Sequence, residues 1–192
     1  MYLVLTALLA LNVSNEILNA FKTLSTSIDR SNNSIDQKNT DVYNAIKENE
    51  KAPGQAEKVR PYREKADEVV KRADEMVAYL NLWKKRITIE AGGYNKEGED
   101  TALPARMDNI DATTSLLVEK KGGDTLKAKI QELRRFFLAS VNHDDTAAIS
   151  PLMPLRISQA HKNEHNPTGD WSIENFEHMP AIAAMALFSK YQ

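Results

Sequence analysis

Apolar residues recur at helical spacing along much of the chain, and they define the predicted helices. No charged residue precedes Glu16, and the helical phase of this apolar start continues into a polar setting. The apolar positions that follow are Ile17, Phe21, Leu24, Ile28, Ile35, Val42 and Ile46. Their spacings place them on one stripe of one helix. The pattern predicts a single long helix from the start of the sequence to about Glu50, stopped by Pro53-Gly54.

A second amphipathic helix is predicted from Ala56 to about Glu90, and Gly92-Gly93 ends it. A third is predicted from Thr125 to about Val141, with Asp124 as its N-cap and the Gly122-Gly123 pair as a break before it. The strongest apolar positions of these two helices should share one core. They are Met76, Leu80, Trp83, Ile130, Leu133 and Phe137.

The remaining segments have weaker patterns. Residues 107–118 contain Asp and Thr at positions that do not favour a stable helix, and residues 143–175 show no period. Residues 181–191 are nearly all apolar but too few to span a bilayer, so we expect a buried core helix or the start of a longer one. The fold class predicted for the whole chain is all-α, a helical bundle.

The apolar first stretch, Met1 to Val13, allows three interpretations. A signal peptide would show a basic n-region and a change of character after a cleavage site, which this stretch lacks. A core helix is possible, but a terminus this apolar is unusual. The third interpretation is that the sequence begins part-way through a membrane helix, since about 20 residues are needed to cross a bilayer. We expect residues 1–15 to be the C-terminal part of a transmembrane helix and residues 16–192 to be a periplasmic helical-bundle domain.

Polar side chains within this stretch would need partners that lipid cannot provide. Tyr2 and Thr6 lie one helical turn apart, and Asn12 would lie near the periplasmic interface. Among the leucines, Ala7 and Ala10 would let another helix approach closely. Beyond the interface, the 3-4 rhythm of Ile17, Phe21, Leu24 and Ile28 would suit a short coiled-coil seam between two copies.

Composition narrows the possible functions. The 192 residues have 25 basic and 27 acidic side chains, a net charge of −2, which gives no case for binding nucleic acid. Cysteine is absent, so disulfides, thiolate chemistry and Cys-based metal sites are excluded.

Candidate catalytic and metal-binding motifs are weak. His161 and His165 have the i,i+4 spacing of a metal site, but their segment resembles a loop and no carboxylate motif completes it. His143-Asp144 could be a base with an orienting acid, yet no nucleophile accompanies it. We therefore expect no metal, no cofactor and no catalytic residue, and the chain is not predicted to be an enzyme.

Both ends of the chain resemble one family. Met1-Tyr-Leu-Val, Ala10-Leu-Asn-Val-Ser and Glu16-Ile-Leu-Asn-Ala-Phe21 are similar to the membrane helix of the GldM/PorM family. Trp171, Asn175-Phe176 and His178-Met179-Pro180 resemble the end of its first periplasmic domain. The resemblance implies a single-pass protein of the bacterial inner membrane, with most of the chain in the periplasm.

The resemblance also implies a function and partners. Two copies would lie inside a pentameric ring of a GldL/PorL-like membrane protein, and proton flow would drive their motion for type IX secretion or gliding. Tyr2 is the proton-coupling position that carries over directly, because the basic cytoplasmic segment of the family is not in this sequence. The membrane stretch has no Asp or Glu, which agrees with a partner supplying the titrating group.

Two other classes of function stay open at this point. A receptor whose helical bundle binds a small ligand would have a second membrane helix after the bundle. A periplasmic hydrolase would need a catalytic constellation, for which the residues offer no candidate. Residues upstream of Met1 and downstream of Gln192 would distinguish the motor from the receptor.

Overall fold

Helices are the regular elements of the computed structural model, which describes residues 14–96 and 101–192. They are α1 (Asn15–Lys51), α2 (Ala56–Glu90), α3 (Asp111–Thr113, continuing as a π-helix over Thr114–Glu119), α4 (Gly122–Ser140), α5 (His143–Ile149), α6 (Trp171–Phe176) and α7 (Ala181–Lys190). The all-α prediction is confirmed for these residues. None of the described helices is both long enough and apolar enough to cross a membrane.

The start of α1 differs from the prediction. The sequence predicts one helix running through Ser14, but Ser14 has extended backbone, with ψ of 148°, and α1 begins at Asn15. The Ser14 hydroxyl accepts a hydrogen bond from the Ile17 N–H at 3.3 Å, so Ser14 is an N-cap. Serine satisfies a free N–H at a helix start better than it supports a helix interior, and the apolar periodicity does not register that preference.

The bundle is built around α7. Nearly all of its side chains are buried, and α1 and α2 pack against it. Phe188 of α7 stacks on Phe176 of α6 with ring centroids 6.1 Å apart, and Phe176 meets Trp171 edge-to-face at 5.4 Å. The prediction that the last helix is a buried core helix is confirmed.

The predicted core is largely correct. Met76, Leu80, Trp83 and Ile130 are buried, whereas Leu133 and Phe137 are partly buried and pack on the outside of the same cluster. The core also includes α6 and the π-helix through Trp171, Phe176 and Leu117. Its centre therefore lies closer to α7 than the amphipathic stripes of two helices indicate.

Gly122 and Gly123 have a different role from the one predicted, which was a break before the helix. Gly122 and Gly123 are buried and form the first turn of α4, which Lys121 precedes in a left-handed conformation, with φ of 60°. A Cβ atom on Gly122 would lie 2.3 Å from the Trp83 ring, so α4 begins with glycine in order to approach α2 closely. Asp124 is not the N-cap, and its carboxylate accepts a hydrogen bond from Ser172 Oγ at 2.9 Å.

Two further predictions were wrong. Residues 111–119 form α3, where a stable helix was not expected, and it is held by the Thr113 and Thr114 hydroxyls, which donate to the Ile110 carbonyl at 2.9 Å. The segment without period, 143–175, contains α5 and most of α6. α5 and α6 are each too short to show a repeating apolar pattern in the sequence.

Lys84 ties α1, α2 and α7 together. Its Nζ donates to Ser189 Oγ at 2.8 Å and to Gln192 Oε1 at 2.6 Å, and it lies 3.4 Å from Asp29 Oδ1 of α1. Burial lowers the pKa of Lys84, and the charge of Asp29 opposes that change. Nearby, Asn32 Nδ2 donates to the Ser189 carbonyl at 2.7 Å. These polar contacts fix the direction of α1 relative to the core.

We expect Phe176→Ala to lower the free energy of unfolding by about 3–5 kcal/mol, because the ring is fully buried between two aromatic neighbours. The matched variant is Phe137→Ala, which removes the same ring from a partly exposed position and should cost about half as much or less. Urea melts of the two variants measure the difference, and equal losses would contradict this assignment of the core.

We expect Lys84→Ala to cost about 1–3 kcal/mol near neutral pH, because three polar contacts are lost. Folding lowers the pKa of Lys84 below the ordinary lysine value, about 10.4. At a pH between these two pKa values, Lys84 is protonated in the unfolded chain and largely neutral in the folded chain, so the unfolded chain binds more protons. The stability of the parent chain relative to Lys84→Ala should therefore rise with pH across this window.

Denaturant melts at several pH values measure that difference. Lys85→Ala, on the exposed side of α2, controls for the loss of one positive charge. A stability difference between the parent and Lys84→Ala that falls with rising pH would contradict the assignment of Lys84 as a desolvated cation.

Candidate functional site

An apolar stripe on α1 faces away from the bundle. Its members are Ile17, Leu24, Ile35 and Val42, each 48% to 63% exposed, and they are hereafter called the α1 stripe. At about 100° per residue, these four positions lie within about 20° of one another around the helix. From Ile17 to Val42 they extend over about 37 Å at 1.5 Å per residue. The row is interrupted between Leu24 and Ile35, where Ser31 lies on the same face. Several large apolar side chains exposed on one helix face favour an interaction surface.

The buried residues of α1 show which side of the helix contacts the bundle. Leu18 and Ser25 are buried, and they lie about 80–120° around the helix from the stripe. Asp29, Asn32 and Tyr43 lie on the same side and bond to Lys84, Ser189 and Asp67 respectively. The described part of the bundle therefore occupies one side of α1 and leaves about half or more of each side chain of the α1 stripe exposed.

The predicted coiled-coil seam is divided by this geometry. Ile17 and Leu24 lie on the outward stripe, whereas Phe21 and Ile28 are half-buried at its edge. Phe21 packs against the small cluster of Leu18, Ile182 and Met185. Ile17 and Leu24 are thus the seam positions exposed to a partner, whereas Phe21 already contributes to the bundle.

The other predicted site residues lie outside the described residues. They are Tyr2, Thr6, Ala7, Ala10 and Asn12, and the predicted membrane segment that holds them falls almost wholly there. Their roles stay predictions.

The distal halves of α1 and α2 form an antiparallel hairpin, residues 33–66, hereafter called the hairpin arm. None of residues 26–75 is buried. The arm is held by polar contacts, since Arg63 pairs with Glu50 at 2.6 Å and also with Asp67, which accepts the Tyr43 hydroxyl. It presents Ile35 and Val42 of the α1 stripe and, on α2, Tyr62 at 68% exposure. The arm therefore extends the exposed apolar surface beyond the core.

The two histidines singled out in the sequence do not share a helix face. Residues 155–163 form no helix, and each histidine has its own carboxylate partner. His161 Nδ1 lies 2.6 Å from Glu174 Oε1, and the ring and backbone N–H of His161 hold the pKa of Glu174 below its usual range. His165 Nε2 lies 2.8 Å from Glu177 Oε2. His143 and Asp144 are fully exposed and 3.9 Å apart, which offers no oriented base.

A basic groove runs between α4 and the segment after α5. Its volume is about 500 Å³, and it is lined by Gln131, Arg134, Arg135, Leu155, Arg156 and Ile157. Three arginines without an acidic side chain in the lining would favour an anionic ligand. Arg134 already donates to the Ser150 carbonyl at 2.8 Å, so part of its hydrogen-bonding capacity holds the segment after α5 in place.

Sequence reasoning missed the polar residues that fix α1 and those that surround His165. Asp29 and Lys84 look like ordinary members of solvated helix faces, and they meet only because α1 and α2 are antiparallel. Glu177 is twelve residues from His165, across Pro167 and Gly169, so no local spacing relates them.

Comparison with known proteins gives one informative match. A family model described as the GldM N-terminal domain matches residues 16–192, which is all but the first fifteen residues of the chain. No curated protein sequence matches at a significant level.

Proposed function

The chain belongs to the GldM family through its N-terminal domain, and we propose that it is a subunit of a proton-motive-force-driven motor of the inner membrane. The motor would transmit mechanical energy across the periplasm for type IX protein secretion, gliding or both. The family match carries this proposal, because it covers the whole described bundle.

The family itself is a component of gliding and type IX secretion machinery and is associated with the inner membrane. It is a structural or motor component and not a known enzyme class.

The proposed assembly has two copies of this chain within a pentameric ring of a GldL/PorL-like membrane protein. The α1 stripe supports pairing of two copies, because it begins at Ile17 next to the predicted membrane segment and continues for about 37 Å. A two-fold axis along α1 would bring the stripes of both copies together and cover their exposed apolar side chains.

The proposed proton coupling lies in the predicted membrane segment. Tyr2 would donate its hydroxyl to a carboxylate of the ring, with Thr6 on the same helix face and Asn12 near the interface. Two copies in a ring of five cannot match symmetry, so successive protonation of ring carboxylates would favour successive orientations of the pair.

Motion of the membrane segment must then reach the bundle through α1. The proximal half of α1 supports this step, because Asp29 and Asn32 hold it to α2 and α7 through Lys84 and the Ser189 carbonyl. Apolar packing of Leu18 and Phe21 on α7 adds to these polar contacts. A helix fixed in this way would turn with its bundle as one body.

A membrane-anchored sensor is the alternative of another class. The basic groove between α4 and the segment after α5 favours it, because it could accept an anionic ligand. Saturable binding of a small carboxylate or phosphate compound, lost in Arg156→Ala, would support the sensor over the motor.

We expect Leu24→Glu to weaken pairing of the chain by at least about tenfold. Each copy would lose an apolar side chain worth about 1.5–3 kcal/mol when buried, and two carboxylates would meet near the two-fold axis. Analytical ultracentrifugation of the 192-residue chain in detergent measures the dissociation constant.

The matched control is Thr23→Glu, which adds the same charge at an exposed position about 100° around α1. Its dissociation constant should stay near that of the parent. Native mass spectrometry of the chain co-expressed with the ring protein tests the larger assembly. A monomer, or a homodimer that never retains the ring protein, would exclude the motor.

We expect Tyr2→Phe to reduce type IX secretion strongly, because it keeps the aromatic ring and removes the hydroxyl donor. The control is Tyr62→Phe, which removes a hydroxyl from an exposed tyrosine of the hairpin arm. Secretion of a reporter cargo in cells carrying each variant at equal abundance is the measurement. Parental secretion with Tyr2→Phe would reduce Tyr2 to a packing residue.

A further inference from the structure

Three potential metal ligands meet beside the turn between α6 and α7. They are His165, Glu177 and His178, and one donor atom of each lies within 4.8 Å of the donor atoms of the other two. His165 Nε2 and Glu177 Oε2 are 2.8 Å apart, which is hydrogen-bond distance. The side chains come from two separate segments, so the cluster is a product of the tertiary fold.

The spacing suits a small divalent cation. Zinc binds imidazole nitrogen and carboxylate oxygen at about 2.0–2.2 Å, so tetrahedral ligands lie about 3.4 Å from one another. The 2.8 Å between His165 Nε2 and Glu177 Oε2 is shorter than that value, and the donor atoms of all three residues lie within 4.8 Å of one another. Small rotations of exposed side chains would be enough to close the site, because the side chain of His165 is 72% exposed.

The segment that carries His165 is held in place by a buried amide. Asn166 is 3% exposed, its Nδ2 donates to the Asp170 carbonyl at 2.8 Å, and its Oδ1 accepts from the Asp170 N–H at 2.8 Å. Asn163 Oδ1 accepts the backbone N–H groups of His165 and Asn166 at 2.9 and 2.7 Å. The Cα position of His165 is therefore fixed although its ring is exposed.

His178 is held in an unusual conformation. Its φ is 53°, in the left-handed region that glycine adopts at no steric cost. The His178 N–H donates to Thr114 Oγ1 at 2.9 Å, and the carbonyl of the next residue accepts a hydrogen bond from Thr113. Histidine adopts positive φ more often than most residues, and these two hydrogen bonds hold the turn that carries it.

We propose that His165, Glu177 and His178 bind one Zn²⁺ ion. Two imidazoles and one carboxylate form a ligand set that suits zinc, and they leave a coordination position for water. The ion would replace the hydrogen bond between His165 and Glu177 and would recruit His178. It would fasten the long segment after α5 to the turn between α6 and α7.

This proposal differs from the expectation drawn from the sequence. From the sequence, His161 and His165 are the candidate pair of metal ligands. In the structure, His161 pairs with Glu174 and His165 pairs with Glu177. The partners of His165 come from the turn before α7, which the sequence indicates only as a sharp turn before Pro180.

Isothermal titration of the 192-residue chain with ZnCl₂ tests the site. We expect one equivalent to bind, and we expect His178→Asn and Glu177→Gln each to weaken binding by at least about tenfold. Asparagine also tolerates positive φ, so His178→Asn preserves the turn. Zinc should raise the melting temperature of the parent chain, EDTA should reverse the rise, and His178→Asn should remove it.

The matched control is His161→Ala, which removes an exposed histidine that also pairs with a glutamate in the same segment. Its zinc affinity should equal that of the parent. Substitution with Co²⁺ should give visible absorption bands that are lost in Glu177→Gln. Absence of saturable binding, or equal losses in His161→Ala and Glu177→Gln, would overturn the proposal.

Discussion

The burial of α7 is the constraint on which the rest of the fold depends. This helix has almost no polar surface of its own, so it is stable only when other helices cover every side of it. α1 and α2 cover one side, and α6 and the neighbouring core residues close the remainder. Because α7 is the last helix of the described chain and α1 the first, its burial brings the two ends of the domain together.

The two halves of α1 are held by different forces. Near Leu18 and Ser25 the helix is packed on α7, and Lys84 adds a desolvated polar contact. Beyond residue 33 no side chain of the helix is buried, and the helix pairs with α2 through contacts such as Arg63 with Glu50. Ion pairs near the surface, even partly buried ones such as this, add less stability than a packed apolar core, and they weaken with salt. The hairpin arm is therefore the part of the bundle that opens most readily, and the part in which contact with another chain would add most stability.

The sequence predicts the long helices well because amphipathic periodicity is strong over thirty residues or more. The bounds of α2 agree with the structure at both ends. Prediction failed where tertiary contacts override local preference. Glycine is needed at position 122 because the Trp83 ring leaves no room for a side chain. The π-helix is tied through the Thr113 and Thr114 hydroxyls to the backbone of Met179 and His178, far along the chain. For the candidate sites, the α1 stripe could be predicted as apolar, but which edge of it faces outward depends on where α7 packs.

The N-cap at Ser14 has a mechanical consequence. Within the described residues, the first backbone hydrogen bond of α1 runs from the Leu18 N–H to the Ser14 carbonyl, and Ser14 itself has extended backbone. Rotation about the φ and ψ bonds of this one residue would redirect α1 and cost one capping hydrogen bond, about 1 kcal/mol. Bending α1 itself would instead break several backbone bonds within the helix. Among the residues that the structure describes, Ser14 is therefore the position at which the direction of α1 changes at the lowest cost, while α1 stays straight.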